Sequence, residues 1–261
     1  MKRNLLLFFA TFLTVLNASA GEMELKGTFQ GENLYVKNPF AASGVGFCVY
    51  EVTVNGQTTT DEINSSAFEI DLGVFQFEIG QAIVVGIKYK DECEPKVLNP
   101  EVLNSRATFE INKLDILGED LMWTTTKESG ILPFIIEQYR WNKWVKVGEV
   151  AGKGSIANNK YKVNVRMHSG ENTFRLKQID YRNKPRYSDE VKSISSKSLV
   201  TFGPDRVVDL ITFSAPTLYE IYDEYGGIVF KGYGNEINVG SLSKGRYYIN
   251  YDNKMERFTK K

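Results

Sequence analysis

Histidine is almost missing from this chain: among 261 residues there is only His168. A serine triad, a cysteine–histidine pair and most zinc sites need imidazole, so one histidine removes much of the usual catalytic and metal-binding machinery. His168 lies in RMHSGEN, which suggests a solvent-exposed turn, and Ser169 beside it in sequence is no evidence of contact. No HExxH, paired CxxC or EF-hand spacing occurs. TTTDEINSS gathers oxygens, but Asp61 and Glu62 are adjacent, so a loop role is expected instead. GVGFCV and GKGS are too sparse to cradle a phosphate, and thirty-two acids make many chance carboxylate pairs. The expectation is a non-catalytic protein without metal or cofactor.

Net charge is also missing: 32 basic side chains balance 32 acidic ones, against the strongly basic balance of a general nucleic-acid binder. Only the tail departs from this, with six basic and two acidic residues from Lys244 to Lys261. Sustained apolar spacing of helical period is lacking too, and no apolar run beyond the first twenty residues approaches the ~20 needed to span a bilayer.

Those first twenty residues have a layout of their own. MKRNLLLFFATFLTVLNASA begins with Lys2 and Arg3, continues with an apolar run from Leu5 to about Leu16, and exits through Ala18 and Ala20. This is the pattern of a secretory signal peptide cleaved after Ala20, and it implies export through the inner membrane. Without Lys2 and Arg3, 30 basic residues face 32 acidic ones. In an exported chain the only two cysteines, Cys48 and Cys93, are expected to form a disulfide closing a loop of about 45 residues.

Short alternating segments rich in Val, Ile, Tyr, Phe and Thr fill the rest, broken by Gly, Asn, Asp and Lys, which is an all-β composition. Residues 21–106 hold NLYVKN, FCVYEVTV, AFEIDL, FQFEI and AIVVGIKYK, with Asn55-Gly56 as a hairpin turn, and are expected to form a β-sandwich. Residues 107–197 hold seven candidate strands, the number an immunoglobulin- or fibronectin-III-like sandwich needs. Its expected core is Trp123, Phe134, Ile136, Val147, Tyr161, Phe174 and Leu176. Trp141 and Trp144, three apart, are expected on opposite faces of one strand, where one could face solvent and meet a sugar or partner, but packing in the core or at an edge is the stronger expectation. SISSKS (193–198) is the expected flexible joint to a third block, 198–261, of six short strands with turns at Gly226-Gly227 and Asp252-Asn253. Fifty-odd residues make a marginal core, which the density of tyrosine and phenylalanine would offset.

YEIYDEYGGIVFKGYGNEINVGSLSKGRYYINYDNKMERFTKK resembles the C-terminal sorting domain of cargo proteins of the Bacteroidetes type IX secretion system. The resemblance rests on Ile221, Tyr222 and Asp223, Gly226 or Gly227, Val229, Gly232, Ile237, Val239, Leu242, Gly245, Tyr247, Phe258, Lys260 and Lys261. The Pro-Asn-Pro step that opens many such tails is replaced by FGPD and SAP. Trp123, Glu128, Phe134, Glu137, Tyr139, Arg175, Leu176, Asp180 and Ser188 match the sandwich module that commonly precedes these tails. Within the family, the three-part arrangement is most similar to PorA-type accessory proteins. The resemblance implies a small C-terminal β-sandwich read as an address by the translocon and its sortase-like components. It further implies a possible signal to the PorY sensor kinase, and attachment to surface lipopolysaccharide if the tail is removed near Ser196–Asp205. The location implied is periplasm, outer membrane, cell surface or medium. On this reading Gly245 turns the chain into its last hairpin with positive φ, and Lys260 and Lys261 offer a cationic end to an acidic receptor patch. The alternatives are a surface adhesin or glycan-binding module, and an enzyme with an unrecognised site.

Overall fold

The computed structural model describes residues 21–90 and 93–261; the segment expected to be a signal peptide, with Ala18 and Ala20, lies outside the described residues. The described chain is all-β, with two short 3-10 turns, and no helix in it is long and apolar enough to cross a membrane. It divides into two compact units, one of residues 21–27, 31–77 and 82–103, the other of residues 28–30, 78–81 and 104–261.

The first unit is a two-sheet sandwich. Strands β1 (Gly21–Thr28), β2 (Leu34–Lys37), β3 (Val49–Val54), β4 (Gln57–Thr58), β5 (Ala67–Ile70), β6 (Ala82–Tyr89) and β7 (Lys96–Val97) pair in the orders β1-β6-β3-β4 and β5-β2-β7. Alternation puts Leu34, Val36, Val52, Val54, Ile70, Ile83, Val85 and Ile87 inside. Asn55 and Gly56 both take positive φ and turn the β3–β4 hairpin as their dipeptide foretells. FQFEI is not a strand: a 3-10 turn at Leu72–Phe75 uses its first residue, capped by the Asp71 carboxylate on the Gly73 N–H. Asp61 and Glu62 hold a loop, accepting from the backbone N–H groups of Asp71 and Asn64. Cys48 and Cys93 are joined, with Cα atoms 6.0 Å apart, which ties the entry to β3 to the segment beyond β6.

The second unit begins with a fibronectin-III-like sandwich. One sheet is β8 (Glu110–Leu117), β9 (Asp120–Thr126) and β12 (Asn159–Asn164); the other centres on β10 (Phe134–Arg140) and β13 (Gly170–Ile179), flanked by β11 (Lys143–Val150), β14 (Pro185–Tyr187) and β15 (Val191–Ser195). The expected core forms, with Val147 only partly buried against it. Trp123 stacks on Tyr161 at 4.9 Å and meets Phe134 edge-on at 5.7 Å. PRYSDEVKSI is two strands, because Ser188 interrupts it: its Oγ accepts from the Leu176 N–H, and its own N–H donates to the Leu176 carbonyl. Several residues on which the expected module resemblance rests hold the fold. Buried Glu128 accepts from Tyr161 Oη and from the N–H groups of Lys153 and Gly154, Glu137 pairs with Arg175 at 2.7 Å, and Asp180 caps the turn before β14.

The rest is a six-stranded module. Strands β16 (Phe202–Gly203), β17 (Arg206–Val207), β18 (Leu210–Tyr222), β19 (Ile228–Asn238), β20 (Gly245–Tyr251) and β21 (Lys254–Lys260) pair in the order β16-β18-β20-β21-β17, with β19 also on β18. RVVDLITF and TLYEIYD are not one strand each: Arg206–Val207 form β17, and β18 runs from LITF through TLYEIY. Pro216, which has no N–H to give a ladder, falls in the register shift between Thr212 and Thr217. Ile211, Phe213, Ile221, Ile237, Val239, Tyr247, Ile249, Tyr251 and Phe258 form the core. SISSKS is not a free joint: Ser193–Ser195 belong to β15 and pair with β13.

Candidate functional site

Most tail residues carried by the resemblance build the module. Asp223 caps the β18–β19 turn, accepting from the N–H groups of Tyr225 and Gly227, while Gly226 takes φ +82°. A Cβ on Gly232 would meet the Tyr219 hydroxyl at 2.6 Å, so only glycine lets that ring lie across β19. Leu242 packs on the core, and Tyr247 stacks on Phe258 at 5.5 Å. Two expectations fail. Gly245 lies outside the left-handed region and opens β20, with nothing closer than 3.9 Å to a Cβ there; the turn residue is Asp252, at φ +46°. Lys260 is only 7 % exposed, because its strand is covered by β17, and Lys261 alone is left exposed at the end. Tyr222 faces the preceding sandwich, where Lys143 Nζ donates to its hydroxyl at 2.7 Å and to Glu220 at 2.6 Å.

That contact belongs to a seam joining the module to the fibronectin-like sandwich. Its centre is Asp252, 2 % exposed, at the tip of the β20–β21 hairpin. The carboxylate accepts from the Ser169 N–H (2.9 Å), the Ser169 hydroxyl and the Val200 N–H (3.2 Å), gathering three chain segments on one charge. Asn253 donates to the Ser169 carbonyl at 3.0 Å, and Trp141 Nε1 donates to the Asp252 carbonyl at 3.1 Å. Trp141 thus sits in the β10–β11 turn with φ +53°, buried in the seam rather than on a strand face.

His168 is likewise buried, at 6 % exposure, and not in an exposed turn. Burial holds its pKa below the ordinary histidine value, helped by the charge of Arg140, and Nδ1 lies 2.8 Å from the Ser169 carbonyl. Ser169 Oγ is committed to Asp252, so His168, Ser169 and Asp252, though neighbours in space, are not arranged as base, nucleophile and orienter. Among the described residues no group of three or more His, Cys, Asp or Glu could hold a metal ion.

Beside the seam is a pocket of about 230 Å³ whose wall includes Gln138 and Arg140. They are two apart on β10, on the face that carries Phe134 and Ile136 into the sandwich core. The apolar stripe becomes polar where the sandwich ends. Arg140 is 5 % exposed, its Nε and Nη1 have no hydrogen-bond partner, and burial pushes its pKa down to about 10. On another face, Arg175 is held between the rings of Trp144 (4.0 Å) and Tyr187 (4.1 Å), with Tyr139 edge-on to Trp144. The sequence reading found neither the seam nor the pocket, since the pocket's lining alone comes from seven separate stretches; a polar Gln-x-Arg step ending an apolar strand face was the available signal.

No protein-family model matches the chain, and no curated protein matches it. Solved structures similar to it include fibronectin(III)-like modules of Clostridium thermocellum CbhA (13 % identity, 58 % of this chain and 91 % of that one, TM-score 0.22). Others are a tetra-tandem repeat in the extending region of a large adhesion protein (9 %, 92 % and 73 %, TM-score 0.31) and the BSP domain of a biofilm-associated protein (10 %, 94 % and 64 %, TM-score 0.25).

Proposed function

We propose that this chain is an exported, non-catalytic envelope protein whose C-terminal module is a recognition surface read by a type IX translocon, and that the module stays attached while it acts. The supporting observation is strand β19: eleven residues long, it pairs with β18 alone, and Ile228, Val229 and Tyr233 are exposed along it. Proteins usually blunt a long free edge, and an edge left open accepts a partner strand. The seam gives a reason for retention, because a tail clasped through a buried carboxylate is part of the body. The PorY kinase is a candidate reader of the retained form.

The test is export of Val229→Lys, which charges the edge without touching the core. Secretion should fall while the purified protein melts like the parent; unchanged secretion would remove the edge from the reading. Intact mass from envelope fractions should give a chain running to Lys261, whereas a form ending near residue 200 would return the protein to ordinary cleaved cargo.

The Trp144–Arg175–Tyr187 ladder favours a second reading, a surface adhesin or glycan-binding module. Glycan binding lost on Tyr187→Ala, with export intact, would support it.

A further inference from the structure

A buried guanidinium without a partner is costly, since several kinds of hydrogen-bond donor and a full charge are withdrawn from water. Arg140 is buried with its Nε and Nη1 donors both unmatched, and only the Trp141 ring at 5.1 Å and the charges of Asp252 and Glu220 offset that cost. Gln138 has the opposite need. Its Nε2 must face the side-chain Oδ1 of Asn172 at 2.6 Å, because the Asn172 amide is itself fixed by its Nδ2 donating to the His168 and Gly170 backbone carbonyls. The Gln138 Oε1 is therefore held the other way round, buried and without a donor. Both residues line the pocket, so unmatched donors and an unmatched acceptor lie beside it on one strand face.

The other charges at the pocket favour an anion. Exposed Arg166 stands at the wall with its guanidinium 4.4 Å over the Tyr233 ring and has no ion-pair partner among the described residues. Lys197 is also there, already paired with Glu119. The one wall carboxylate, Asp252, is consumed by Ser169 and Val200. The volume, about 230 Å³, lies below the ~300–1,000 Å³ of drug-sized sites, so the occupant is one small residue.

We infer that this pocket binds a small hydroxylated carboxylate, its carboxylate on Arg140 with Arg166 at the mouth, and a hydroxyl donating to Gln138. A free sugar acid and the terminal uronic acid of a glycan share this chemistry.

Calorimetric titration of the full chain lacking the leader tests it with D-glucuronate, a glucuronate-terminated disaccharide, D-glucose and inorganic phosphate. Glucuronate should bind and glucose should not. Equal binding of the disaccharide identifies a glycan end as the source, and its failure identifies the free acid. Arg140→Met should weaken binding at least tenfold while the unliganded protein melts at the same or a higher temperature, because the unpaired buried charge is gone. Arg166→Glu, at an exposed position, should weaken binding without changing the melt. No binding of glucuronate at millimolar concentration, phosphate binding as well as glucuronate, or a sharply lower melting temperature for Arg140→Met would each overturn the proposal; the last would make Arg140 a structural counter-charge to Asp252.

Discussion

At the scale of single residues, the seam depends on charges and turns that only the folded chain brings together. Asp252 is the clearest case. Asn keeps the shape and the tolerance for positive φ, but it replaces one acceptor with a donor facing Ser169 Oγ and the Val200 N–H. Asp252→Asn should therefore cost about 1–3 kcal/mol in urea unfolding; a loss under ~0.5 kcal/mol would mean that these bonds add nothing net. His168 makes stability depend on pH. Its folded pKa is depressed by burial while the unfolded value stays near 6.5, so as pH falls below 6.5 the unfolded chain gains a proton that the folded chain refuses. Stability from this group is unaffected above that pH and declines below it, until the folded pKa is reached. Arg140 and Asp252 face the ring with opposite signs, Arg140 opposing its proton and Asp252 favouring it. His168→Gln should flatten the stability curve between pH 7 and 5.5; an unchanged slope would place the proton uptake elsewhere. The sequence could show that His168 lacked catalytic company, but not that it was buried, since RMHSGEN carries no apolar alternation to mark a core.

At the scale of strands, alternation was legible and interruption was not. DLMWTTT and GRYYINY coincide with β9 and β20, where Leu121 and Trp123, and Tyr247, Ile249 and Tyr251, pack inward at alternate positions. The misreadings lie where one side chain replaces a backbone partner or one residue is skipped: Ser188 splits a strand, and the Pro216 irregularity lets two apparent strands run as one. Gly245 was given a turn role because glycine often marks positive φ, yet it begins a strand. Gly245→Val should accordingly fold and melt within a few degrees of the parent, as valine suits an extended backbone; a collapse of the module would restore the turn reading.

At the scale of the whole molecule, the cysteine pair could be read from sequence, because it is a one-dimensional fact about number and spacing, whereas the three expected blocks lie in two compact units. The attachment of the last block to the second could not be read, because polar serines look like a linker until they are seen in β15. Replacing Cys48 and Cys93 by serine should destabilise the first unit by about 2–4 kcal/mol while leaving the transition of the second unit in place. Calorimetry resolves this if two transitions are present and only one moves. The position of β21 has a consequence for how the protein is made. The strand lies inside its sheet, between β20 and β17, and it delivers Phe258 to the core and returns the chain from the Asp252 tip. A polypeptide halted anywhere before Lys254 lacks both, so it cannot close the module or clasp the seam. The closed module is thus displayed only by molecules whose synthesis has passed β21.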